Sequence, residues 1–225
     1  MIGLKEIIRL ENVSKIYGKS GTTLAALDNI NLTINQGEYI SIVGNSGSGK
    51  STLMNIIGFL DKQTSGKYYF CGEESKFLKE NRLAKIRSNN IGFIFQGFNL
   101  IPTLNAIENV MLPLSYKGVS KKEREKQAKI MLERVGLKER ITHYPNELSG
   151  GQCQRVAIAR AIATRPSLIL ADEPTGNLDS SSGEQIKQLL FELHNEGNTI
   201  LLITHDKEFA ARTPKTITIK DGRIL

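Results

Sequence analysis

The chain has 225 residues, 40% of them hydrophobic and 24% charged, which suits one or two soluble globular domains with a sizeable core. Its two cysteines, Cys71 and Cys153, lie far apart and exclude both a disulfide framework and a cysteine metal site, as expected in a reducing compartment. The net charge of +7 favours anionic partners (a nucleotide, a nucleic acid or an acidic membrane face), or else reflects a generally basic surface, because the basic residues are scattered.

In chain order, "MIGLKEIIRLENV" carries Lys5, Glu6 and Arg9 inside its apolar run and does not read as a signal peptide. "INLTI" (30–34) alternates as a strand, and "EYISIV" (38–43) is a second strand that ends in a glycine-rich loop. "STLMNIIGFL" reads as a helix with Ser51 and Thr52 in its first turn, and "SGKYYFCG" as a strand between Gly66 and Gly72. The longest uncharged run, 88–107, has the length of a membrane span. Its Asn89, Asn90, Gln96, Asn99, Pro102 and Asn105 exclude one, so no transmembrane segment is expected. "NAIENVMLPL" and "KKEREKQAKIMLERVG" read as helices, the second capped by Gly136. A further helix should start at Ser149 and stop before Pro166.

"SLILAD" and "NTILLITHD" are short apolar strands suited to a parallel sheet covered on both faces, joined by a helix from about Ser182 to Asn195. "KTITIKDGRIL" reads as a terminal hairpin turning at Asp221-Gly222. The order implies an α/β core interrupted by a helical insertion at about 97–165, within a single domain of 225 residues.

Four features carry chemistry. "GNSGSGKS" (Gly44, Asn45, Ser46, Gly47, Ser48, Gly49, Lys50 and Ser51) matches the phosphate-binding G-x-x-x-x-G-K-[ST] pattern between a strand and a helix. Its backbone N–H groups cradle phosphates, Lys50 reaches the β- and γ-phosphates, and Ser51 offers a hydroxyl to Mg²⁺. "LILADE" ends an apolar strand in two acids, with Asp172 placed for Mg²⁺ and Glu173 for a general base on water. Gln96 follows "IGFIF" with a neutral amide suited to Mg²⁺ and water, and His205 ends another strand, suited to a γ-phosphate. "ELSGGQCQRV" is a second helix start fitted to an anion: Ser149 and Gln152 form a capping box, while Gly150 and Gly151 open the backbone. Tyr17 either stacks on an adenine or packs on a nearby strand. No Asn/Thr-Lys-x-Asp guanine reader follows, which favours ATP.

"GNSGSGKS", Gln96, "LSGGQ", "LILADE", "NLD" and "THD" occur in the order and at the separations of the ATP-binding cassette (ABC) ATPases, which the chain resembles over nearly its whole length. The resemblance implies a P-loop NTPase core with an N-terminal antiparallel β subdomain and an inserted helical subdomain. It also implies that ATP and Mg²⁺ are held in two composite sites of a head-to-tail dimer. Ser149, Gly151 and Gln152 then act on the ATP of the second copy, Asp179 communicates across the dimer, and Tyr17 stacks on adenine. "MNIIGFLDKQTSG", "LAKIRSNNIGFIFQGFNLIPTLNAIENVMLPL" and "ILADEPTGNLDS" resemble the lipoprotein-release, macrolide-export and antimicrobial-peptide export group. Cys153 departs from the Gln common there and is expected to sensitise the site to thiol reagents with little effect on hydrolysis.

The reading is an ATP hydrolase subunit, peripheral on the inner face of the cell membrane, that drives a separate integral membrane permease. The segment 96–104 is the expected docking surface, with Phe98, Leu100, Ile101 and Leu104 either partly exposed or, for at least half of them, core. The alternative is a soluble or cell-division-type ATPase with a regulatory output. Nucleic acid is not an expected partner, because neither a second cassette nor an inserted coiled coil is visible.

Overall fold

A computed structural model describes residues 5–18 and 23–225. The reading of the N-terminal stretch as no leader rests partly on residues 1–4, which lie outside the described residues. The strands in chain order are β1 (Glu6–Tyr17), β2 (Leu24–Asn35), β3 (Tyr39–Val43), β4 (Ser65–Phe70), β5 (Glu73–Glu74), β6 (Ile91–Phe95), β7 (Leu168–Asp172), β8 (Ile200–Ile203), β9 (Lys215–Lys220) and β10 (Arg223–Ile224). The helices are α1 (Lys50–Ile57), α2 (Glu80–Asn90), α3 (Ala106–Tyr116), α4 (Lys121–Arg134), α5 (Gly150–Ile162), α6 (Ser180–Asn195) and α7 (Lys207–Ala211). The chain divides into two compact units, one running to Ala84 and resuming at Gly197–Leu225, the other Lys85–Glu196.

In the first unit an antiparallel sheet has the order β2-β1-β4-β5. Its register sets Ile8 against Ile34 and Phe70, and Leu10 against Leu32 and Tyr68. All six are buried, so cross-strand apolar pairs hold one face of the sheet to the core. Strand β3 runs parallel to β8 on one side and β9 on the other. Tyr39 to Ile42 and all of β8 are buried, which explains why these strands are written without alternation. The β9–β10 hairpin turns at Asp221 and Gly222, both left-handed (φ 48° and 76°), as a two-residue hairpin loop requires. Gly222 O accepts from Asp28 N at 2.8 Å, and Arg223 pairs with Asp28, which ties the hairpin to β2.

In the second unit β6 and β7 pair in parallel, and α3, α4 and α5 pack together with α5 buried along most of its length. The uncharged run 88–107 is divided among the end of α2, β6, a loop and the start of α3. No helix among the described residues is long and apolar enough to cross a membrane. Helix α4 ends at Arg134, with Val135 as its cap and Gly136 left-handed immediately after (φ 75°). Helix α6 begins at Ser180, two residues before the expected start, because Asp179 caps it by accepting from Ser182 N. Helices α2 and α7 have no counterpart in the sequence reading: α2 buries only Leu83 and Ile86 and so shows a weak apolar stripe.

The loop after β6 is built against its neighbours. Phe98 and Asn99 are left-handed (φ 60° and 51°), and Arg160 of α5 donates to both of their carbonyls, at 2.9 and 2.5 Å. Asn109, fully buried in α3, accepts from Ile101 N at 2.8 Å and donates to the carbonyls of Leu104 and Asn105 at 2.9 and 3.0 Å. Of the four apolar residues expected here to divide between core and surface, none is buried, and Ile101 is 41% exposed. Replacing Asn109 by Leu strands these buried backbone groups. It should cost about 3 kcal/mol of stability in urea unfolding, and limited proteolysis should then cut within 97–105.

Candidate active site

In the first unit the pairing of Ile42 with Ile203 brings β3 and β8 to an end at the same edge. The phosphate loop leaves β3 there, and Thr204 and His205 leave β8. Thr204 is buried and its Oγ1 accepts from Asp206 N at 3.0 Å, while Asp206 caps α7, so exposed His205 projects from a fixed turn. Gly49 is the N-cap of α1 at φ 106°, and a Cβ there would lie 2.5 Å from Ala26 O, so only glycine fits. It brings no side chain, which leaves the first N–H groups of α1 for a ligand. Lys50 Nζ donates to Gly44 O at 2.7 Å and Asn45 O at 2.9 Å, leaving one of its three N–H groups for a phosphate oxygen. Ser48 Oγ is buried with no hydrogen-bonding partner among the described residues, as suits a loop completed by a polar ligand. Tyr17 is 38% exposed, its hydroxyl donates to Asp61 at 2.7 Å, and the Lys15 ammonium lies 4.7 Å from its ring centroid.

In the second unit the pairing of Phe95 with Asp172 makes Gln96 and Glu173 the next residues beyond one strand edge. Glu173 is left-handed at φ 45°, a conformation costing roughly 1–2 kcal/mol for a residue with a Cβ. A turn closed by Gly176 N on Glu173 O at 3.0 Å holds it. Gln96 Nε2 donates to Asn177 Oδ1 at 3.0 Å, and Asn177 Nδ2 donates back to Gln96 O at 3.1 Å. Within this unit Asp172 supplies a carboxylate and Gln96 an amide oxygen, hard oxygen donors of the kind Mg²⁺ takes together with phosphate and water.

The expected capping box at α5 is present. Ser149 Oγ accepts from Gln152 N at 3.3 Å, and Gln152 Oε1 accepts from Ser149 N at 2.9 Å. Ser149 and Gly150 are exposed, whereas Gly151 is buried, and a Cβ on it would lie 2.8 Å from Ser182 Oγ of α6. The N–H groups of Gly150 and Gly151 have no intrahelical partner, and no acid occupies the first turn.

The family model described as ABC transporter matches residues 27–176. The chain belongs to the ABC transporter family. It is an ATP-binding subunit of that family and an ATP hydrolase with a P-loop NTPase fold. It is 53% identical over 219 residues to the uncharacterized ABC transporter ATP-binding protein YknY of Bacillus subtilis (97% of this chain, 95% of that protein). It is 49% identical to the macrolide export ATP-binding/permease protein MacB of Hyphomonas neptunium, covering 97% of this chain but 34% of that longer protein. Among solved structures, dimeric MJ0796, a bacterial ABC transporter cassette, matches with a TM-score of 0.88 at 50% identity over 97% of this chain and 96% of that one. MJ0796 has a TM-score of 0.88 also in a dimeric post-hydrolysis state bound to ADP and Pi.

Two residues of α5 escaped the sequence reading. Gln154 is fully buried in α5, and its Nε2 donates to Pro174 O at 2.7 Å and lies 3.4 Å from Phe95 O. Arg160 clamps Phe98 and Asn99. The available signal was a long polar side chain at two positions of a helix, GGQCQRVAIARAI, whose second half is otherwise Val, Ala and Ile.

The expected thiol sensitivity at Cys153 is corrected by its surroundings. Cys153 is buried, its Sγ–H donates to Pro145 O at 3.4 Å, and burial pushes its pKa up, so little reactive thiolate is accessible. Cys71 is exposed, although partial burial raises its pKa as well. Titration of the native chain with a thiol reagent should show one promptly reacting thiol, lost in Cys71→Ser, with Cys153 reacting only after denaturation.

Proposed function

We propose that two copies of this chain close head to tail around two ATP molecules and drive a separate membrane permease of the macrolide-export or lipoprotein-release type. The observation that carries this reading is a chain with two helix starts open to phosphate, α1 behind the loop Gly44–Ser51 and α5 behind Ser149. One nucleotide needs one such cradle, so the second start serves the nucleotide of another copy. The dimeric assemblies of MJ0796 support this arrangement. The MacB relatives, named as ATP-binding/permease proteins, support a membrane partner.

In this mechanism the phosphate loop and Lys50 hold the triphosphate, with Thr52 beside them in the first turn of α1. Tyr17 stacks on the adenine, its ring fixed through Asp61. Ser51, Gln96 and Asp172 hold Mg²⁺, which when bound neutralises the developing phosphate charge. Glu173 takes a proton from the attacking water as its oxygen bonds to the γ-phosphorus and the bond from that phosphorus to the β–γ bridging oxygen breaks, leaving ADP and phosphate, while His205 hydrogen-bonds the γ-phosphate. Ser149, Gly150, Gly151 and Gln152 of the second copy close over the same phosphate and exclude bulk water. Asp179 stays ionised, its pKa lowered by hydrogen bonds from Ser182, and so keeps a charge to present across the dimer. The segment 97–165 forms the helical subdomain, and exposed Ile101 with Phe98, Leu100 and Leu104 meets the permease at the inner face of the cell membrane.

Replacing Glu173 by Gln should preserve ATP binding, lower turnover by about a hundredfold or more, and trap an ATP-dependent dimer on size-exclusion chromatography. A variant that binds ATP and stays monomeric would count against the composite site. Ser149→Arg places a bulky cation over the helix start. It should abolish turnover while monomer affinity for ATP stays within about threefold, by equilibrium binding of a fluorescent ATP analogue.

A further inference from the structure

The helix start proposed to take the partner's phosphate and the residues proposed to act on the chain's own phosphate are joined by one buried amide. Gln154 lies in the second turn of α5, inside the unit that also carries β6 and β7. Its Nε2 donates to Pro174 O at 2.7 Å and lies 3.4 Å from Phe95 O. Pro174 follows Glu173 and Phe95 precedes Gln96, so the amide touches the backbone next to both residues. Two carbonyl oxygens fix its orientation, because only Nε2 can donate to them. Its Oε1 is buried with no partner among the described residues, so the side chain serves the strand ends and nothing else described.

The strand ends need such a tie. Glu173 is left-handed, and its turn is closed only two residues beyond Pro174 by Gly176. A left-handed residue with a Cβ persists where its surroundings over-determine it. Pro174 has no N–H of its own to pin the turn, so its carbonyl is the backbone group through which the turn can be held.

We infer that Gln154 is a positioning residue. It transmits the placement of α5 to the backbone beside Glu173 and Gln96, so that closure of the α5 start on the partner's ATP aligns the general base for the chain's own ATP. The inference rests on the composite-site reading above. It requires Gln154 to matter for the chemical step more than for binding or dimer closure.

The test uses the full chain. Gln154→Met keeps side-chain length and removes the donor. It should lower kcat about tenfold or more, because small displacements of reacting groups are costly, while KM for ATP stays within about threefold. In the Glu173→Gln background, where hydrolysis is blocked, Gln154→Met should leave the ATP concentration for half-maximal dimer within about threefold. Gln154→Glu provides an independent reading. Protonated, its carboxyl donates to Pro174 O; ionised, it faces two carbonyl oxygens. Its kcat relative to wild type should therefore rise as pH is lowered from about 8 to about 6, with no such trend for Gln154→Met.

Wild-type kcat in Gln154→Met, or loss of dimer in proportion to loss of turnover, would overturn the inference, as would a flat relative pH profile for Gln154→Glu. Should Gln154→Met not fold, the Gln154→Glu profile decides alone. A wild-type chain that neither dimerises with ATP nor hydrolyses it would instead remove the composite-site reading. That result is distinct from wild-type turnover with unaltered variants.

Discussion

A strand or helix that ends inside a protein leaves backbone N–H and C=O groups with no partner from its own element, and something must satisfy them. In this cassette those ends are where the chemistry gathers. Helices α3 to α7 each begin on a side-chain cap, namely Asn105, Ser120, Ser149, Asp179 and Asp206. Helix α1 begins on Gly49, which has no side chain to offer. The phosphate of a nucleotide is the natural partner for the groups that Gly49 leaves open. Helix α5 is capped as the others are, Ser149 accepting from Gln152 N, but it alone among these capped helices carries no acid at its cap or in its first turn. Helix α1 therefore differs from the rest by its cap, and α5 by the absence of a negative charge at its start.

The strand ends pose the converse problem. Parallel pairing stops at Phe95 and Asp172, and the chain beyond must turn sharply while staying close to the core. Carbonyls there are met by side chains from α5, Gln154 for Pro174 and Arg160 for Phe98 and Asn99. A single buried helix thus supports two loops that a sheet alone would leave unsupported. This suits catalysis, because groups that must meet a reacting atom are better placed by rigid neighbours than by their own loop. It also explains why α5 is buried on nearly every side although only its first turn meets solvent at the site.

Much of this was legible in the residues. Strands such as "LILAD" and "ILLI" declare two-sided burial by lacking alternation, and both are buried up to Asp172 at the end of the first. The Ser149–Gln152 box and the Asp221-Gly222 turn follow from local chemistry and appear as local geometry. What escaped was of two kinds. Helix α2 has too narrow an apolar stripe for periodicity to register. Gln154, Arg160 and Asn109 act on backbone groups that the fold brings to them. A polar side chain inside an apolar helix signals that a partner exists without naming it. Asp179 shows the same limit: its resemblance-based role lies across the dimer, while the structure gives it a local role as the cap of α6.

The capping role of Asp179 is compatible with the role proposed for it across the dimer, and the two together bear on how the proposed composite site would work. A carboxylate held by hydrogen bonds from Ser182 keeps its negative charge. Ser182 is also the residue against which Gly151 packs, so the cap of α6 and the start of α5 share a neighbour. A displacement of the α5 start therefore presses first on the residue that holds Asp179. Interlocked packing of this kind moves in discrete steps, because a close-packed contact cannot yield gradually. In the proposed dimer, phosphate arriving at Ser149 would act on Asp179 through Ser182 and on Glu173 through Gln154. Binding of one nucleotide and readiness to cleave the other would then be two consequences of one helix position.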